Sequence, residues 1–196
     1  MDVTITFNGS AVTADKKDSL LAIARRQGVE IPTLCHAKDL APHGGCRLCL
    51  VELRQGSRSR LVASCGYFAQ EGLVVETDSP RVIKVRSLLL ELLRASMPDS
   101  DYIRTWADRY GVRPTRYTRA LTHCVLCGLC VRHCEEIKKN NCLGYVGRGV
   151  NREVAWVPQG GYALCEQCME CREFCPTGVF PSNWGVANNS FRGTVP

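Results

Sequence analysis

The sequence predicts an α+β protein built from a strand-rich N-terminal part, a helical connector and a cysteine-rich C-terminal part. Residues 3–14 alternate apolar and polar side chains around Asn8-Gly9, the strongest short signal for a β-hairpin. Apolar residues recur at helical spacing after Ser79-Pro80, where Ser caps a helix and Pro fits its first turn. The last third of the chain carries two cysteine runs with one shared spacing. We therefore expect three parts, at residues 1–78, 79–118 and 119–196.

The N-terminal part begins with the elements of a β-grasp domain. A strand over residues 3–7, a returning strand over 10–14 and a helix over 20–27 follow one another. Asp18 or Ser19 is placed to cap this helix. Strand, strand and helix in this order are how a β-grasp domain starts. Further strands are expected at residues 50–53, 60–64 and 72–77.

The connector is expected to be helical. A long helix should run from Pro80 to about Ser96, where Met97-Pro98 ends it, and a short helix is expected over residues 102–110. Apolar residues of the long helix recur at helical spacing and predict a core face or an interdomain seam rather than a partner site. They are Val82, Val85, Leu88, Leu89, Leu92 and Leu93.

Two cysteine runs dominate the C-terminal part, each with the spacing C-x2-C-x2-C-x3-C. The first is Cys124, Cys127, Cys130 and Cys134, and the second is Cys165, Cys168, Cys171 and Cys175. Each cysteine of the second run lies 41 positions after its counterpart, so the two runs form an internal repeat. This pattern is the ligand set of two [4Fe–4S] clusters, in which the fourth cysteine of each run binds the other cluster. The expected ligand sets are Cys124, Cys127 and Cys130 with Cys175, and Cys165, Cys168 and Cys171 with Cys134.

Zinc and disulfides are the alternative interpretations of these runs. A structural zinc site takes four ligands in two pairs with a longer spacer between the pairs, and the x2, x2, x3 spacing does not divide in that way. Disulfides between cysteines so close in sequence would be strained, and nothing in the sequence indicates secretion. The pattern therefore favours two iron–sulfur clusters.

Four further cysteines lie in the N-terminal part with the spacing C-x10-C-x2-C-x15-C: Cys35, Cys46, Cys49 and Cys65. Gly44-Gly45 precedes the central pair and lets backbone N–H groups approach sulfur. Four cysteines in a loop-rich β domain indicate a [2Fe–2S] site. A zinc site made by the same four residues is the alternative, since this spacing is not specific for one metal. The neighbouring iron–sulfur motifs favour [2Fe–2S].

Thirteen cysteines are present and twelve are assigned to clusters, so Cys142 is left over. It lies in the glycine-bearing insertion over residues 135–164, where we expect turns and short strands, and a small buried hydrophobic residue is its expected role. An arm is expected from Thr177 onward. The four histidines, His36, His43, His123 and His133, each lie within three residues of a cysteine and are candidates to tune a cluster through hydrogen bonds.

Composition excludes several classes of function. The formal net charge is +6, but the basic residues are spread along the chain, so we expect no nucleic-acid partner and favour a basic surface that docks an acidic redox partner. The sequence has no apolar run long enough for a membrane span and no secretory leader, which favours a cytoplasmic location. It has no nucleotide-binding glycine loop and no catalytic motif. We therefore expect no catalytic residues and no flavin, nicotinamide or substrate site in this chain.

Three stretches carry a resemblance to a known family: GGCRLCLVEL, ASCGYFAQEGLVVETDSPRV and CVLCGLCVRHCEEI. Over roughly residues 1–180 the chain resembles the N-terminal part of the large iron–sulfur subunit of NADH–quinone oxidoreductase. The same module is found as the small iron–sulfur subunit of NAD-linked hydrogenases and at the N-terminus of iron-only hydrogenases. The resemblance implies an electron-transfer subunit whose partners are a flavin-bearing NAD(P)-binding subunit and a further redox subunit, such as a hydrogenase, a formate dehydrogenase or an electron-bifurcating core.

One departure from the family pattern is informative. The family usually carries an additional [4Fe–4S] site with one histidine ligand, in a stretch that opens with His-Pro after the long helix. Here that place reads Met97-Pro98, and no cysteine lies between Cys65 and Cys124. We therefore expect this chain to lack that cluster. Two alternatives remain: a free-standing ferredoxin-like carrier, and, less favoured by the x10 spacing and the complete second run, the iron–sulfur subunit of a succinate dehydrogenase or fumarate reductase.

Overall fold

The computed structural model describes residues 2–113, 117, 124–157, 161–173 and 175–178. Its N-terminal part is a five-stranded mixed sheet in the order β2-β1-β5-β3-β4. The strands are β1 (Asp2–Phe7), β2 (Ser10–Asp15), β3 (Leu50–Gln55), β4 (Arg58–Ala63) and β5 (Val74–Glu76). The central pair β1–β5 is parallel and the other three pairs are antiparallel. The predicted Asn8-Gly9 hairpin is confirmed, and the strands expected at residues 50–53 and 60–64 pair as a second hairpin. Strand β5 is shorter than the predicted strand over residues 72–77.

Helix α1 (Leu20–Arg26) covers one face of this sheet, and its ends follow the sequence signals. The Ser19 hydroxyl accepts a hydrogen bond from the Ala22 N–H, so Ser19 is the cap rather than Asp18. Gly28 follows the helix with φ +71°, a left-handed conformation that glycine adopts without steric cost. The apolar face of α1 packs with alternate residues of β1 and β3 into one buried core that includes Ile5, Val51 and Val75.

The connector consists of α2 (Pro80–Ser96), capped by the Ser79 hydroxyl, and α3 (Asp101–Arg109). The buried face of α2 centres on Val82, Arg86 and Leu90, each with no exposed surface. The predicted apolar stripe is therefore only partly correct, because Leu88 and Leu92 are each 41% exposed. The helix packs on a single face, and those two side chains lie outside it.

Arg86 is the buried charge that joins the connector to the sheet. Its guanidinium donates hydrogen bonds to the carbonyl oxygen of Leu50 on β3, to the Tyr110 hydroxyl and, at 3.1 Å, to the Asp78 carboxylate. A buried charge is tolerated only when it is paired and hydrogen-bonded, and Arg86 meets this requirement. The apolar periodicity of α2 gave no sign of this role.

The C-terminal part is assembled from short elements around its cysteines. Helix α4 (Leu129–Arg132) continues into a π-helical turn (His133–Ile137), and the insertion forms a hairpin of β6 (Leu143–Val146) and β7 (Glu153–Trp156). Helix α5 (Gly161–Cys168) follows. Single turns of 3-10 helix occupy Ser64–Gly66, Gly149–Asn151 and Glu170–Arg172. The predicted short strands of the insertion are present as β6 and β7, but its ends are helical, since the π-helical turn reaches Ile137 and α5 begins at Gly161. The predicted C-terminal arm lies outside the described residues after Gly178.

No helix in the described ranges is long and apolar enough to span a lipid bilayer.

Candidate iron–sulfur sites

The four N-terminal cysteines come together at one end of the sheet. Cys35, Cys46 and Cys49 lie in the long loop between α1 and β3, and Cys65 lies in the 3-10 turn after β4. Cys35, Cys49 and Cys65 are buried and Cys46 is half-buried. The loop thus brings three of the four thiols close to Cys65, which directly follows a strand of the sheet.

These thiols form two hydrogen-bonded pairs. The thiol of Cys35 donates to Cys46 and so lowers the pKa of Cys46 to about 5, while the same contact raises the pKa of Cys35. In the same way, a hydrogen bond with Cys65 lowers the pKa of Cys49 to about 7 and raises that of Cys65. One thiol of each pair is thus readily ionised, and thiolates are the form that binds iron.

Backbone N–H groups point at these sulfurs. The Cys46 N–H donates to Cys35 Sγ at 3.4 Å, and the N–H groups of Leu34 and Leu48 donate to Cys46. Arg47 adopts a left-handed conformation with φ +59°, an uncommon state for a residue with a side chain. The loop is therefore shaped to turn amides toward sulfur, as an anionic cluster requires.

The first cysteine run gathers with a member of the second. Cys124, Cys127 and Cys130 are half-buried, and burial raises the pKa of Cys127 to about 11. The charge of Cys175 also raises the pKa values of Cys124 and Cys127, which places Cys175 beside the first run. The Leu126 N–H donates to Cys124 Sγ at 3.4 Å.

The second run gathers with Cys134 from the first. A cavity of about 20 Å³ is lined by Cys134, Cys165, Cys168 and Cys171 together with the spare Cys142. Burial raises the pKa of Cys171 to about 12, and the charges of Cys165 and Cys134 add to that rise. The structure therefore brings Cys134 close to the second run and Cys175 close to the first, and Cys171 also lies near Cys130. The two ligand sets stay a prediction.

Two residues around this cavity act on its sulfurs. The Cys142 N–H donates to Cys134 Sγ at 3.1 Å, and Cys142 itself is 1% exposed. The side chain of Trp156 on β7 lies beside the Cys165 thiol and lowers its pKa, although burial, which is the larger effect, leaves that pKa raised. Cys142 is thus buried as predicted, and it also has a hydrogen-bonding role that the sequence did not indicate.

Salt bridges and hydrogen bonds tie the two runs together. Glu170, which lies between Cys168 and Cys171, contacts His133 at 3.2 Å and pairs with Lys138. Lys138 lowers the pKa of the exposed Glu170 carboxyl. His133 therefore helps to hold the two cysteine runs together through Glu170. Of the other histidines, His36 lies 3.3 Å from an Arg25 nitrogen, and His123 lies outside the described residues.

Nowhere in residues 2–113, 117, 124–157, 161–173 and 175–178 do three His, Cys, Asp or Glu side chains converge tightly enough to hold one metal ion. In a [4Fe–4S] cluster each thiolate binds a different iron, and in a [2Fe–2S] cluster two thiolates bind each of the two irons, so four cluster ligands lie farther apart than the four ligands of one zinc ion. The wider gatherings of four thiols described above suit a cluster in their donor chemistry.

The N-terminal and C-terminal sites are in direct contact. Arg132, which lies between Cys130 and Cys134, donates to the carbonyl oxygens of Cys35 at 2.6 Å and Ala41 at 2.7 Å. The Ala41 N–H in turn donates to the Glu136 carboxylate at 2.8 Å. Cys46 of the N-terminal site and Cys124 of the first run line the same cavity, and the charge of Cys46 adds to the raised pKa of Cys127.

Comparison with known proteins agrees with this geometry. Residues 1–80 match the family described as the 2Fe-2S iron-sulfur cluster binding domain. The mixed sheet, helix and cysteine loop of this part are therefore a [2Fe–2S] cluster-binding domain.

Relatives that extend over most of the chain identify it further. The G 2 subunit of the NADH-quinone oxidoreductase of Rhizobium meliloti is 31% identical over 92% of this chain and 24% of its own length. The HndD subunit of the NADP-reducing hydrogenase of Solidesulfovibrio fructosivorans is 28% identical over 90% of this chain and 35% of its own length. The chain thus spans only about a quarter to a third of these relatives.

A solved structure covers a similar share of both chains. A crystal structure of NAD+-reducing [NiFe]-hydrogenase superimposes with a TM-score of 0.70 and 27% identity over 81% of this chain and 76% of that chain. The resemblance found in the sequence is therefore confirmed. This chain is a relative of the G subunits of NADH-quinone oxidoreductases and of NAD-reducing hydrogenase subunits, each of which is one part of a larger redox complex.

Proposed function

We propose that this chain is an electron-transfer subunit of a multi-subunit, NAD(P)-linked oxidoreductase in the cytoplasm. It would hold one [2Fe–2S] and two [4Fe–4S] clusters, each of which carries one electron at a time without bond chemistry. Its partners would be a flavin-bearing NAD(P)-binding subunit and a second redox subunit. The resemblance to subunits of such complexes supports this proposal.

The gatherings of thiols support a ligand assignment. We assign Cys35, Cys46, Cys49 and Cys65 to [2Fe–2S]. Cys124, Cys127, Cys130 and Cys175 would hold one [4Fe–4S] cluster, and Cys134, Cys165, Cys168 and Cys171 the other. The domains would be residues 1–78, 79–118 and 119–196, with the dicluster domain last. The single observation that supports the exchange of the fourth cysteine is the cavity that Cys134 lines together with the first three cysteines of the second run.

The contact between the two sites supports a direct electron path. Cys46 lines one cavity with Cys124 of the first run, and the guanidinium of Arg132 holds the Cys35 backbone against that run. The relayed electron would therefore pass from one site to its neighbour within this chain.

Met97 occupies the place where the family carries a histidine ligand, and it is only 5% exposed. A three-cluster relay with no His-ligated cluster fits both observations.

The test is anaerobic purification of the complete chain from its own host. Iron and sulfide analysis should give about ten iron atoms per chain, the sum for these three clusters. Mass spectrometry should find a flavin-containing NAD(P)-binding subunit in a fixed ratio. About four iron atoms or fewer in intact protein would contradict the cluster assignment. Recovery of the fully loaded chain alone would instead favour a free-standing electron carrier.

A further inference from the structure

A basic cleft opens beside the [2Fe–2S] site. It has a volume of about 450 Å³ and lies between α1 and the loop that follows it. Four basic side chains line it, together with a single carboxylate: Lys17, Arg25, Arg26, Lys38 and Asp18. Cys65, a proposed cluster ligand, also lines the cleft. The cleft therefore combines a strong positive charge with a short distance to Cys65, a buried ligand of the proposed cluster.

The positive charge of this cleft is not neutralised by the one carboxylate that lines it. Asp18 is already paired with Arg26 at 2.6 Å. Arg25 contacts the imidazole ring of His36, and within the described part of the chain neither Arg25 nor Lys38 has a salt bridge to a carboxylate. The pKa of His36 is lowered by burial and by the charges of Arg25 and Arg132. An excess of positive charge thus remains at the surface.

The cleft also has an apolar rim. Phe68 is 45% exposed at its edge, and Leu40 and Pro42 line it beside Cys65. An exposed aromatic side chain ringed by charge is typical of a protein-docking surface, in which the aromatic residue anchors and the charges steer. A phosphate-binding groove has no need of such an anchor.

We propose that this cleft is the docking surface for an acidic one-electron redox protein or subunit that exchanges electrons with the [2Fe–2S] site through the Cys65 side. One electron leaves the donor and reduces the oxidised cluster, and no proton or bond is transferred. This inference rests on the proposed function, because it needs the cluster to be present. A cleft of this charge attracts an acidic partner from a distance and orients it before contact.

The test uses the anaerobically purified, cluster-loaded chain and an acidic flavodoxin, fully reduced, as the one-electron donor. Stopped-flow absorbance gives the second-order rate constant of [2Fe–2S] reduction, and calorimetry gives the affinity for oxidised flavodoxin. For the unmodified chain the rate should fall about tenfold as salt rises from about 20 mM to about 300 mM, because salt screens the attraction. A rate that does not respond to salt would contradict the proposal.

Charge reversal locates the surface. The double variant Lys17→Glu/Lys38→Glu should lower the low-salt rate about tenfold and flatten its salt dependence. The matched control Arg58→Glu/Lys84→Glu changes the net charge by the same amount at two exposed sites outside the cleft. The control should keep most of the rate. Equal losses in both variants would show an effect of overall charge and would overturn the assignment of the cleft.

Two further measurements separate the remaining outcomes. Phe68→Ala should weaken flavodoxin binding several-fold and leave the salt dependence unchanged, because the ring anchors the partner and carries no charge. Reduction by a small neutral photoreductant should be the same in every variant, which shows that the cluster is intact.

Absence of the cluster from the unmodified chain would refute the proposed function itself. Binding of a short oligonucleotide that the cleft variant loses, with no effect on flavodoxin, would assign the cleft to nucleic acid instead.

Discussion

The Trp156 indole distinguishes the proposed second [4Fe–4S] site from the first. It lies beside Cys165 and lowers the pKa of that thiol, and a hydrogen bond from an N–H group to a ligand sulfur stabilises the reduced, more negative state of a cluster. Trp156→Phe keeps the ring packing and removes the donor. We expect the reduction potential of that cluster to fall by roughly 40 mV, which corresponds to about 1 kcal/mol for one hydrogen bond.

A redox titration followed by electron paramagnetic resonance measures this shift. Tyr145→Phe is the control, because Tyr145 packs against the first run and its change should leave the second cluster's potential in place. An unchanged potential in Trp156→Phe would show that the indole only packs.

Gly128 and Met169 occupy equivalent positions of the internal repeat, and both have left-handed backbone conformations, with φ +73° and φ +46°. At Gly128 an added Cβ would also collide with the Tyr145 hydroxyl. We expect Gly128→Ala to cost about 1–3 kcal/mol of stability, from backbone strain and overpacking. Met169→Gly relieves the strain at the other position and should change stability by less than about 1 kcal/mol.

Anaerobic thermal unfolding of the cluster-loaded protein checks this pair. Release of the first [4Fe–4S] cluster at lower temperature is expected for Gly128→Ala. Similar unfolding temperatures for that variant and the unmodified chain would mean that the loop relaxes around Tyr145. The left-handed conformation shared by Gly128 and Met169 would then have no effect on stability.

At the scale of elements, Arg132 connects α4 to the [2Fe–2S] loop. Its guanidinium donates to two carbonyl oxygens of that loop, a geometry that neither glutamine nor lysine reproduces. Arg132→Gln should cost about 1–3 kcal/mol of coupling between the two parts, typical of hydrogen bonds from a charged donor. We expect faster amide exchange over residues 35–46 and weaker magnetic interaction between the [2Fe–2S] cluster and its neighbour.

The control for this change is Arg148→Gln, at an exposed position of the turn after β6. It should leave both readouts unaltered. Arg132→Lys keeps the positive charge but cannot donate to both carbonyl oxygens in the same geometry. An effect between those of the unmodified chain and Arg132→Gln would therefore assign the coupling to the geometry of the guanidinium. Unchanged exchange and unchanged magnetic interaction in Arg132→Gln would contradict the role of Arg132.

The elements were predictable where local chemistry determines them. The Asn8-Gly9 turn and the Ser79-Pro80 helix start depend on residues adjacent in sequence, and both were predicted correctly. The roles of Arg86, Arg132 and Trp156 were not predicted, because each depends on a partner at least eight residues away whose position only the fold sets. The cysteine runs lie between these two cases. Their spacing in sequence predicts which cysteines belong to one site, and the fold brings those cysteines together in space.

At the scale of the whole molecule, the two ends of the chain differ in what holds them together. The core of the N-terminal sheet contains 16 buried residues, of which two are cysteines. The buried cluster of the C-terminal part contains seven, of which four are cysteines. Apolar burial therefore stabilises the first part. The described core of the second part is small and supplies little hydrophobic free energy, so bonds between thiolates and the proposed clusters would stabilise it.

Removal of the clusters should therefore unfold the molecule unevenly. After anaerobic chelation with a reductant present, amide exchange should stay slow in β1, whose alternate residues Val3, Ile5 and Phe7 remain buried in an apolar core. It should become fast in β6 and β7, whose packing partners are mainly cysteines. Hydrogen–deuterium exchange with mass spectrometry resolves the two regions in one sample. Equal loss of protection in both would mean that the [2Fe–2S] loop is needed to hold the sheet together. Retained protection in the hairpin would mean that its few apolar contacts suffice without metal, and the dependence of the C-terminal fold on its clusters would be refuted.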